Sequence, residues 1–507
     1  MSLSATNITQ EKSHAPGNEQ TRSVHMWISR AMIGCLFALT VFAPHSIAIT
    51  QLAWACALLL WVLQFALRRR LPALHRTPVD YALLGFFAWT FLSSLFSYDP
   101  DVSLGKLRAA SLFTITYLFA QTIASQRVLR ILALTLVASC MINVVYTVAE
   151  RAVGRGVKIK GMTADSPLRA TGVQEGDTLL ELNGIPLRSL GGLATALATS
   201  GPDGESARVR IYRFEWMPVL DVPRGRLLDG SSAQARLGIT DWSRGRDWRA
   251  TGFYGHWTTY AEVLQLIASL TLGLLIALQR RWTIRGALLA VALVGICGAL
   301  LLTVTRASLL AFVISAFVIV LVGASRRTVL ALALAALLII PIGLFLLQQK
   351  RNVSFFDRKD PSTTWRTIVY REGVELLVNN PRHLFVGIGM DSIKRHWREW
   401  GMFDNGRLPI GHMHSTPLQL ALERGIPALL LWLILLAVYA RMLLRLVRSV
   451  PAEEWIERGI VLGALGGLVG FFASGMVHYN LGDSEVAMVF YLIMGLALVL
   501  NRKSLDV

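Results

Sequence analysis

Apolar runs of about 20 residues alternate with short polar connections along most of this chain. The hydrocarbon core of a bilayer is about 30 Å thick and is spanned by roughly 20 apolar residues in a helix. Each run therefore predicts a membrane-spanning helix, and the fold class is an all-α polytopic membrane protein. We predict twelve such helices, at 27–43, 47–67, 80–97, 105–124, 130–149, 258–278, 285–303, 306–323, 328–347, 415–440, 459–477 and 484–499.

Basic residues between the runs predict the orientation of the helices. Clusters of arginine flank apolar runs at 68–70, 280–281, 326–327 and 441–448. Lysine and arginine are enriched in the cytoplasmic loops of membrane proteins. Those loops and both termini are therefore expected in the cytoplasm. The two long connections, 150–257 and 348–414, are then expected on the outer face.

The composition agrees with a membrane protein and argues against nucleic-acid binding. Of 507 residues, 54% are hydrophobic and only 16% are charged. The net charge of +18 lies at the ends of apolar runs rather than along one binding surface. No disulfide or metal framework is expected from the four cysteines, because all lie inside apolar runs. They are Cys35, Cys56, Cys140 and Cys297.

The same pattern divides the chain into seven segments. We predict a disordered cytoplasmic tail (1–25), helices 1–5 (26–149), a folded outer domain (150–222), an outer linker (223–257), helices 6–9 (258–347), an outer catalytic loop (348–414) and helices 10–12 (415–507).

The first insert has the pattern of a small α+β domain. Strand-like runs alternate with turn residues, and Asn183–Gly184 is a strong signal for a tight turn. The run SPLRATGVQEGDTLLELNGIPL resembles a PDZ domain of the bacterial envelope-protease type, with the carboxylate-binding loop expected before Val157. Such domains bind extended peptides at a sheet edge, so the resemblance implies a peptide or protein partner. A packing spacer without a ligand is the alternative.

Ionisable residues gather where the second insert meets the next apolar run. The stretch GHMHSTPLQLALERG at 411–425 contains His412, His414 and Glu423–Arg424. Ionisable groups at membrane depth are costly and are functional candidates by default. Gln419 and Glu423 are expected near one another on one helix face. Before this stretch, the spacing predicts a short amphipathic helix, whose apolar side holds Ile368, Val369, Val374, Leu376 and Leu377, and then a glycine turn at Gly387–Gly389.

Four stretches in order resemble the O-antigen ligase and polymerase superfamily of polytopic membrane glycosyltransferases. They are RATGFYGHWTTYAEVL (249–264), TVTRASLLAFVIS (303–315), TWRTIVYREGVELLVNNPRHLFVGIG (364–389) and HMHSTPLQLALERGIPALLLW (412–432). Two positions depart from the family pattern. Ser415 stands where asparagine is usual, and Tyr370 stands where tryptophan is common.

The resemblance implies transfer of a glycan from a polyprenyl (undecaprenyl) pyrophosphate carrier to an acceptor at the periplasmic face of the bacterial inner membrane. It makes His414 the base and Arg306 and Arg366 the pyrophosphate-binding residues. It also points to Arg249, His412 and Gln419 as further substrate-binding candidates. The leaving pyrophosphate gathers negative charge, which arginine stabilises through paired hydrogen bonds. Direct attack would invert the anomeric carbon.

No cofactor is expected, because the lipid-linked donor is already activated. The outer face also lacks an acidic pair of the DxD type beside the arginines, so we expect metal independence.

Several functions share these features. Ligation to lipid A–core is favoured, while repeat-unit polymerisation and protein O-glycosylation use the same chemistry. A zinc protease would need an HExxH motif, which this chain lacks. A rhomboid-type pair could be sought at Ser474 and His478, four residues apart on one predicted helix. A transporter would show internal repeats and broken helices at mid-membrane, and no repeat is evident.

Overall fold

A bundle of long helices carries a small β-sheet domain and a helical loop at one end. A computed structural model describes residues 16–68, 74–198, 206–213, 217–280, 282–330 and 361–505. The longer helices are α1 (Pro16–Phe42), α2 (Ile47–Arg68), α3 (Asp80–Leu95), α4 (Pro100–Ala110), α5 (Thr114–Thr122), α6 (Gln126–Val153), α10 (Trp257–Ala277), α11 (Ile284–Leu302), α12 (Arg306–Gly323), α13 (Pro361–Val378), α17 (Thr416–Ser449), α18 (Trp455–Gly475) and α19 (Ser484–Leu505). Between them lie the short helices α7 (Pro167–Ala170), α8 (Leu190–Ala198), α9 (Ala233–Arg236), α14 (Pro381–Val386), α15 (Ile393–His396) and α16 (Met402–Gly406).

Within these described ranges, eight helices are long and apolar enough to cross a membrane: α2, α6, α10, α11, α12, α17, α18 and α19. A shorter apolar helix covers Met26–Phe42, and α3 has 16 residues. The polytopic helical fold is thus confirmed, whereas the count of twelve spans is not. The predicted span 328–347 lies mostly outside the described residues, and α1 already begins at Pro16 inside the predicted tail.

The prediction of one continuous helix at 105–124 is wrong. The chain forms α4, a 3-10 turn at Ser111–Phe113, and then α5. α4 carries Lys106 and Arg108, and its mean hydropathy is far below that of a span, so it lacks the composition of a membrane-spanning helix. Lys106 pairs with Asp391 at 3.0 Å, so α4 is part of the loop end of the bundle.

Close packing of α10 against α18 forms the centre of the bundle. The two helices run antiparallel, and glycines face the contact. A Cβ on Gly463 would lie 2.5 Å from the Cα of Leu270, and one on Gly273 would lie 2.4 Å from the Gly463 nitrogen. Small residues allow membrane helices to approach this closely.

A break in α17 shapes the loop end of the bundle. Gly425 has φ 80° and ψ 169° inside this helix, and Pro427 follows, so carbonyls of the preceding turn lose their helical partners. Trp89 Nε1 donates to the Arg424 carbonyl at 2.9 Å. The nitrogens of Ile388 and Gly389 donate to the carbonyls of residues 422 and 423, both at 2.9 Å. The predicted glycine turn thus binds the broken helix.

The first insert folds as a six-stranded antiparallel sheet in the order β5-β4-β2-β1-β6, with β3 paired to β2. The strands are β1 (Val157–Met162), β2 (Thr178–Leu182), β3 (Ile185–Pro186), β4 (Ser206–Tyr212), β5 (Val219–Pro223) and β6 (Ile239–Arg244). Alternate residues of β4 are buried, as expected for a strand with one face on a core.

The strand beside β1 comes from the segment predicted as a linker. β6 pairs with β1 from Val157–Arg244 to Met162–Ile239, so the folded insert runs past residue 222. The segment before Val157, where a carboxylate-binding loop was expected, instead lies against the end of β6, because Arg155 N donates to Gly245 O at 2.9 Å. The PDZ-like assignment stays a prediction.

Loops predicted on the outer face meet at one end of the bundle. Ala250 N donates to Leu302 O at 3.0 Å, Tyr98 N to Ile388 O at 3.2 Å, and Thr416 N to His478 O at 3.0 Å. At the other end, Arg130 pairs with Glu457 at 2.6 Å, and Arg502 donates to the carbonyls of residues 120 and 123, both at 3.1 Å. This grouping of loops agrees with the one that the arginine pattern predicts.

Candidate active site

A cavity of about 360 Å³ opens where these loops meet. It is lined by residues of α4, the start of α10, the 390–394 segment, the start of α17 and the loop between α18 and α19. Its titratable lining residues are Lys106, His256, Glu262, Asp391, Lys394, His412, His414, Glu423, Arg424, His478, Tyr479, Asp483 and Tyr491. Of the residues predicted from the sequence, His412, His414 and Gln419 line this cavity.

His414 is held in an unusual backbone conformation. Its φ is +47°, in the left-handed region that few non-glycine residues adopt. Tyr370 Oη donates to its carbonyl oxygen at 2.7 Å, and the Trp365 ring meets its imidazole edge to face at 4.9 Å. Such strain persists where the surroundings fix it, often at functional sites. Two residues of α13 therefore fix the position of the predicted base.

Both departures from the family pattern have a local role in this structure. Tyr370, which replaces a tryptophan, uses its hydroxyl to bind the His414 backbone. Ser415, which replaces an asparagine, is the N-cap of α17, and its Oγ accepts from Leu418 N at 3.5 Å. Serine and asparagine are about equally good N-caps. The substitution at 415 therefore keeps the start of this helix intact.

The side chain of Gln419 links the backbone between the two histidines to the first turns of α17. Its Oε1 accepts from the backbone nitrogen of Met413, between His412 and His414, at 2.6 Å. Its Nε2 donates to Glu423 Oε1 at 2.9 Å, so the expected proximity of these two side chains is observed. The imidazole rings of His412 and His414 lie 4.5 Å apart. Gln419 thus fixes the position of the backbone between the two histidines.

Glu423 is a point of convergence for three parts of the site. Besides Gln419, its Oε1 accepts from Asp391 N at 2.9 Å, and its Oε2 accepts from Tyr479 Oη at 3.1 Å. The side chain is 4% exposed. An ionised carboxylate accepts several hydrogen bonds at once. Glu423 therefore ties α17 to the 389–391 turn and to the α18–α19 loop.

Three cationic side chains line one side of the cavity. Lys106 and Lys394 both pair with Asp391, at 3.0 and 2.7 Å. Arg424 is buried over the Phe86 ring, and its Nε has no hydrogen-bond partner within the described part of the chain. The sequence motif includes Arg424 but neither lysine. Each lies in a short polar stretch with no motif, and only Asp391 brings them together.

Arg366 acts electrostatically on the histidines without lining the cavity. It lies on α13 beside Trp365, and its charge contributes to lowering the pKa of His414 and of His478. Arg306 begins α12, and its charge acts on Arg249. The structure therefore places both predicted pyrophosphate arginines around the site rather than among the cavity-lining residues.

Arg249 uses its guanidinium to hold the turn that precedes Arg306. It donates to the carbonyls of Thr303 and Val304 at 2.8 and 3.0 Å, and to Thr305 Oγ1 at 3.1 Å. Its side chain lies over the Trp257 ring at 4.6 Å. Burial, the largest cause, lowers its pKa to about 10. These contacts leave Arg249 less able to bind a phosphate group than the sequence suggested.

The histidines are held neutral. Burial is the largest cause that lowers the pKa of His414, to about 3, followed by the neighbouring His412 and Arg366. Burial and then Lys394 lower the pKa of His412 to about 4. An imidazole accepts a proton only in its neutral form. At neutral pH, His414 is therefore in the state that a general base requires.

The loop after α18 differs from the sequence prediction. That helix ends at Gly475, so Ser474 and His478 do not share a helix as the rhomboid alternative supposed. Asn480 Nδ2 donates to Ser474 Oγ at 3.0 Å. The His478 carbonyl accepts from Thr416 Oγ1 at 3.0 Å, and this bond holds the loop against the start of α17.

In the part of the chain that the structure describes, no group of three or more His, Cys, Asp or Glu residues is placed to hold a metal ion. The expectation of metal independence is therefore left to experiment.

Residues 291–433 match the family model described as O-antigen ligase, a range that contains most of α11, all of α12 and α13, and the two histidines. No curated protein matches the chain. Over residues 291–433 the chain is therefore similar to the O-antigen ligase family, and the resemblance predicted from its motifs is confirmed.

Proposed function

We propose that this protein is a membrane glycosyltransferase that moves a glycan from a polyprenyl pyrophosphate carrier to an acceptor at the periplasmic face, most simply lipid A–core. One observation carries the proposal. A neutral His414, fixed by Tyr370 and Trp365, lines a polar cavity within the electrostatic reach of Arg366. The family match over the same residues supports this choice.

The proposed reaction is a single displacement. The acceptor hydroxyl oxygen attacks the anomeric carbon of the donor sugar as His414 accepts its proton. The bond between that carbon and the pyrophosphate oxygen breaks, and polyprenyl pyrophosphate leaves with the electron pair. General base catalysis and stabilisation of the leaving anion are each worth orders of magnitude in rate. We assign the second task to Arg306 and Arg366.

Donor binding itself prepares the base. Burial is the largest cause that lowers the pKa of His414, and neighbouring imidazoles and Arg366 lower it further. A bound pyrophosphate offsets the positive charge, and a nearby anion stabilises the protonated imidazole. The pKa of His414 is then expected to rise, while burial still holds it below its usual value. His414 becomes a stronger base when the donor is present.

A deletion strain tests the proposal. It is complemented with wild type, His414→Ala or His75→Ala, and envelope glycolipids are separated on a gel. His75 serves as the control because it is exposed and binds Gln121 outside the cavity. We expect wild type and His75→Ala to restore long glycans on lipid A–core. His414→Ala leaves unmodified core and polymer on the polyprenyl carrier.

Two other results would change the assignment. Core with a single repeat unit in the deletion strain indicates a polymerase. An unchanged ladder indicates a different acceptor, and glycosylated envelope proteins are then the place to look. Full activity of His414→Ala removes the proposed base.

A further inference from the structure

The cavity has an acidic wall that the proposed reaction does not use. Glu262 and Asp483 both line it, and Thr259 Oγ1 donates to Asp483 Oδ2. The charge of Asp483 acts on Glu262, and both carboxyl groups border the same cavity. The family resemblance assigns neither residue a role.

Glu262 is buried without a full set of partners. It lies about 7 Å, five residues, into the membrane helix α10. Its side chain is 2% exposed, and Oε1 has no hydrogen-bond partner in the described ranges. A buried carboxylate oxygen left unpaired is strongly unfavourable. Retaining one in a membrane helix, facing a cavity, indicates that a ligand supplies the missing donor.

The charge distribution in the cavity narrows the chemistry of that ligand. Four carboxyl groups line the cavity with Lys106, Lys394 and Arg424. Asp391 pairs with both lysines and Glu423 accepts from three donors, which leaves Glu262 and Asp483 as the other two. Like charges repel strongly where water is excluded, so a pyrophosphate is directed toward the three cations and away from Asp483. A neutral group rich in hydrogen-bond donors fits beside Glu262.

We propose that Glu262, with Asp483, forms a sugar-binding subsite that accepts hydrogen bonds from the hydroxyl or amide N–H groups of one glycan substrate. The inference rests on the proposed function, because it takes the cavity as the place where glycans react. The sugar ring belongs either to the lipid-linked donor or to the acceptor. Either sugar would supply hydrogen-bond donors of the same kind to Oε1 of Glu262.

The test measures binding and turnover separately on the purified full-length protein. The probes are the polyprenyl pyrophosphate glycan, the delipidated core oligosaccharide and inorganic pyrophosphate. The variants are Glu262→Gln and Glu262→Ala. Glu457→Gln is the matched control, because Glu457 is also a buried carboxylate in a membrane helix. Within the described residues its Oε2 has no hydrogen-bond partner, and its Oε1 pairs with Arg130 at the opposite end of the bundle.

We expect Glu262→Gln to weaken the binding of one glycan about tenfold or more, while pyrophosphate binds equally well or more tightly. A higher Kd for the core oligosaccharide identifies the acceptor, and a higher Kd for the lipid-linked glycan alone identifies the donor. The control variant leaves all three values unchanged.

Unchanged Kd values for both glycans in Glu262→Gln and Glu262→Ala overturn the subsite, as does parallel weakening of pyrophosphate. Absence of glycan binding to wild type also overturns it. The proposed function fails by a different result, in which wild type binds both glycans but transfers none.

Discussion

Tyr370 Oη donates a hydrogen bond to the carbonyl oxygen of His414 at 2.7 Å, and it thereby holds a histidine whose φ is +47°. The bond joins α13 to the second residue before α17. The same tyrosine stands where the family commonly has tryptophan. Its hydroxyl, rather than its ring alone, therefore positions the proposed base.

Removing that hydroxyl tests this relationship. We expect Tyr370→Phe to lower kcat about three- to tenfold with little change in KM, because one hydrogen bond contributes about 1 kcal/mol and His414 then leaves its strained conformation. Steady-state kinetics with purified substrates measure the change. Thr367→Ala, at an exposed position of the same helix, is the control. A wild-type kcat for Tyr370→Phe contradicts the positioning role.

Glu423→Gln tests the convergence point of the site. The amide places a donor where the carboxylate now accepts from Gln419, Asp391 N and Tyr479. We expect the free energy of unfolding to fall by about 2 kcal/mol and most of the activity to be lost. Glu375→Gln serves as the control, since that carboxylate is 61% exposed and pairs with Arg371 on its own helix. Equal stability and equal activity of Glu423→Gln and Glu375→Gln would contradict this prediction.

Acid pH is expected to destabilise the folded protein through the histidines. The pKa values of His412 and His414 are lowered to about 4 and about 3, below the usual 6.5 of an unfolded chain. Between these values the unfolded chain binds more protons, so stability falls as pH drops below 6.5.

The slope is at most about 1.4 kcal/mol per pH unit for each imidazole. Melting temperatures measured from pH 7.5 to 4.5 test this, with His412→Asn and His414→Asn as the variants. Each variant is expected to show a shallower dependence than wild type. The same slope in all three proteins shows that other groups control acid stability.

Substitution at the helix contact should separate packing from chemistry. Gly463→Val places side-chain carbon against the backbone of α10, 2.5 Å from Leu270 Cα. We expect it to reduce the yield of folded protein or to lower its melting temperature by several degrees. Gly298→Val is the control, because nothing lies within 4 Å of a Cβ at that position of α11. Comparable folding of the two variants would show that α10 and α18 can separate without loss.

Metal removal is the simplest test of the proposed chemistry. We expect transferase activity to survive EDTA, since arginine side chains are assigned the task of stabilising the leaving pyrophosphate. Activity is measured before and after chelation, and then after Mg²⁺ is returned. Loss in EDTA with recovery in Mg²⁺ would mean that a cation assists these arginines.

Motifs and hydrophobic periodicity predicted much of the architecture. The apolar runs placed α2, α10, α11, α12 and α19 within a few residues of their observed bounds. They failed at 105–124, where the run is interrupted by Lys106 and Arg108 and the chain breaks into α4 and α5. Val374, predicted on the apolar side of α13, is 46% exposed. A short pattern locates a helix better than it locates the boundary of its buried face.

The linear pattern by itself determined the helical membrane fold, the grouping of loops at two ends, and the candidates His412, His414 and Gln419. These follow from local properties, because span length, positive charge and short motifs are read within one segment. The break of α17 at Gly425, the pairing of β6 with β1, and the meeting of Lys106, Lys394 and Glu262 in one cavity depend on the tertiary structure. Each joins segments far apart in the chain, and only packing decides which distant side chains become neighbours.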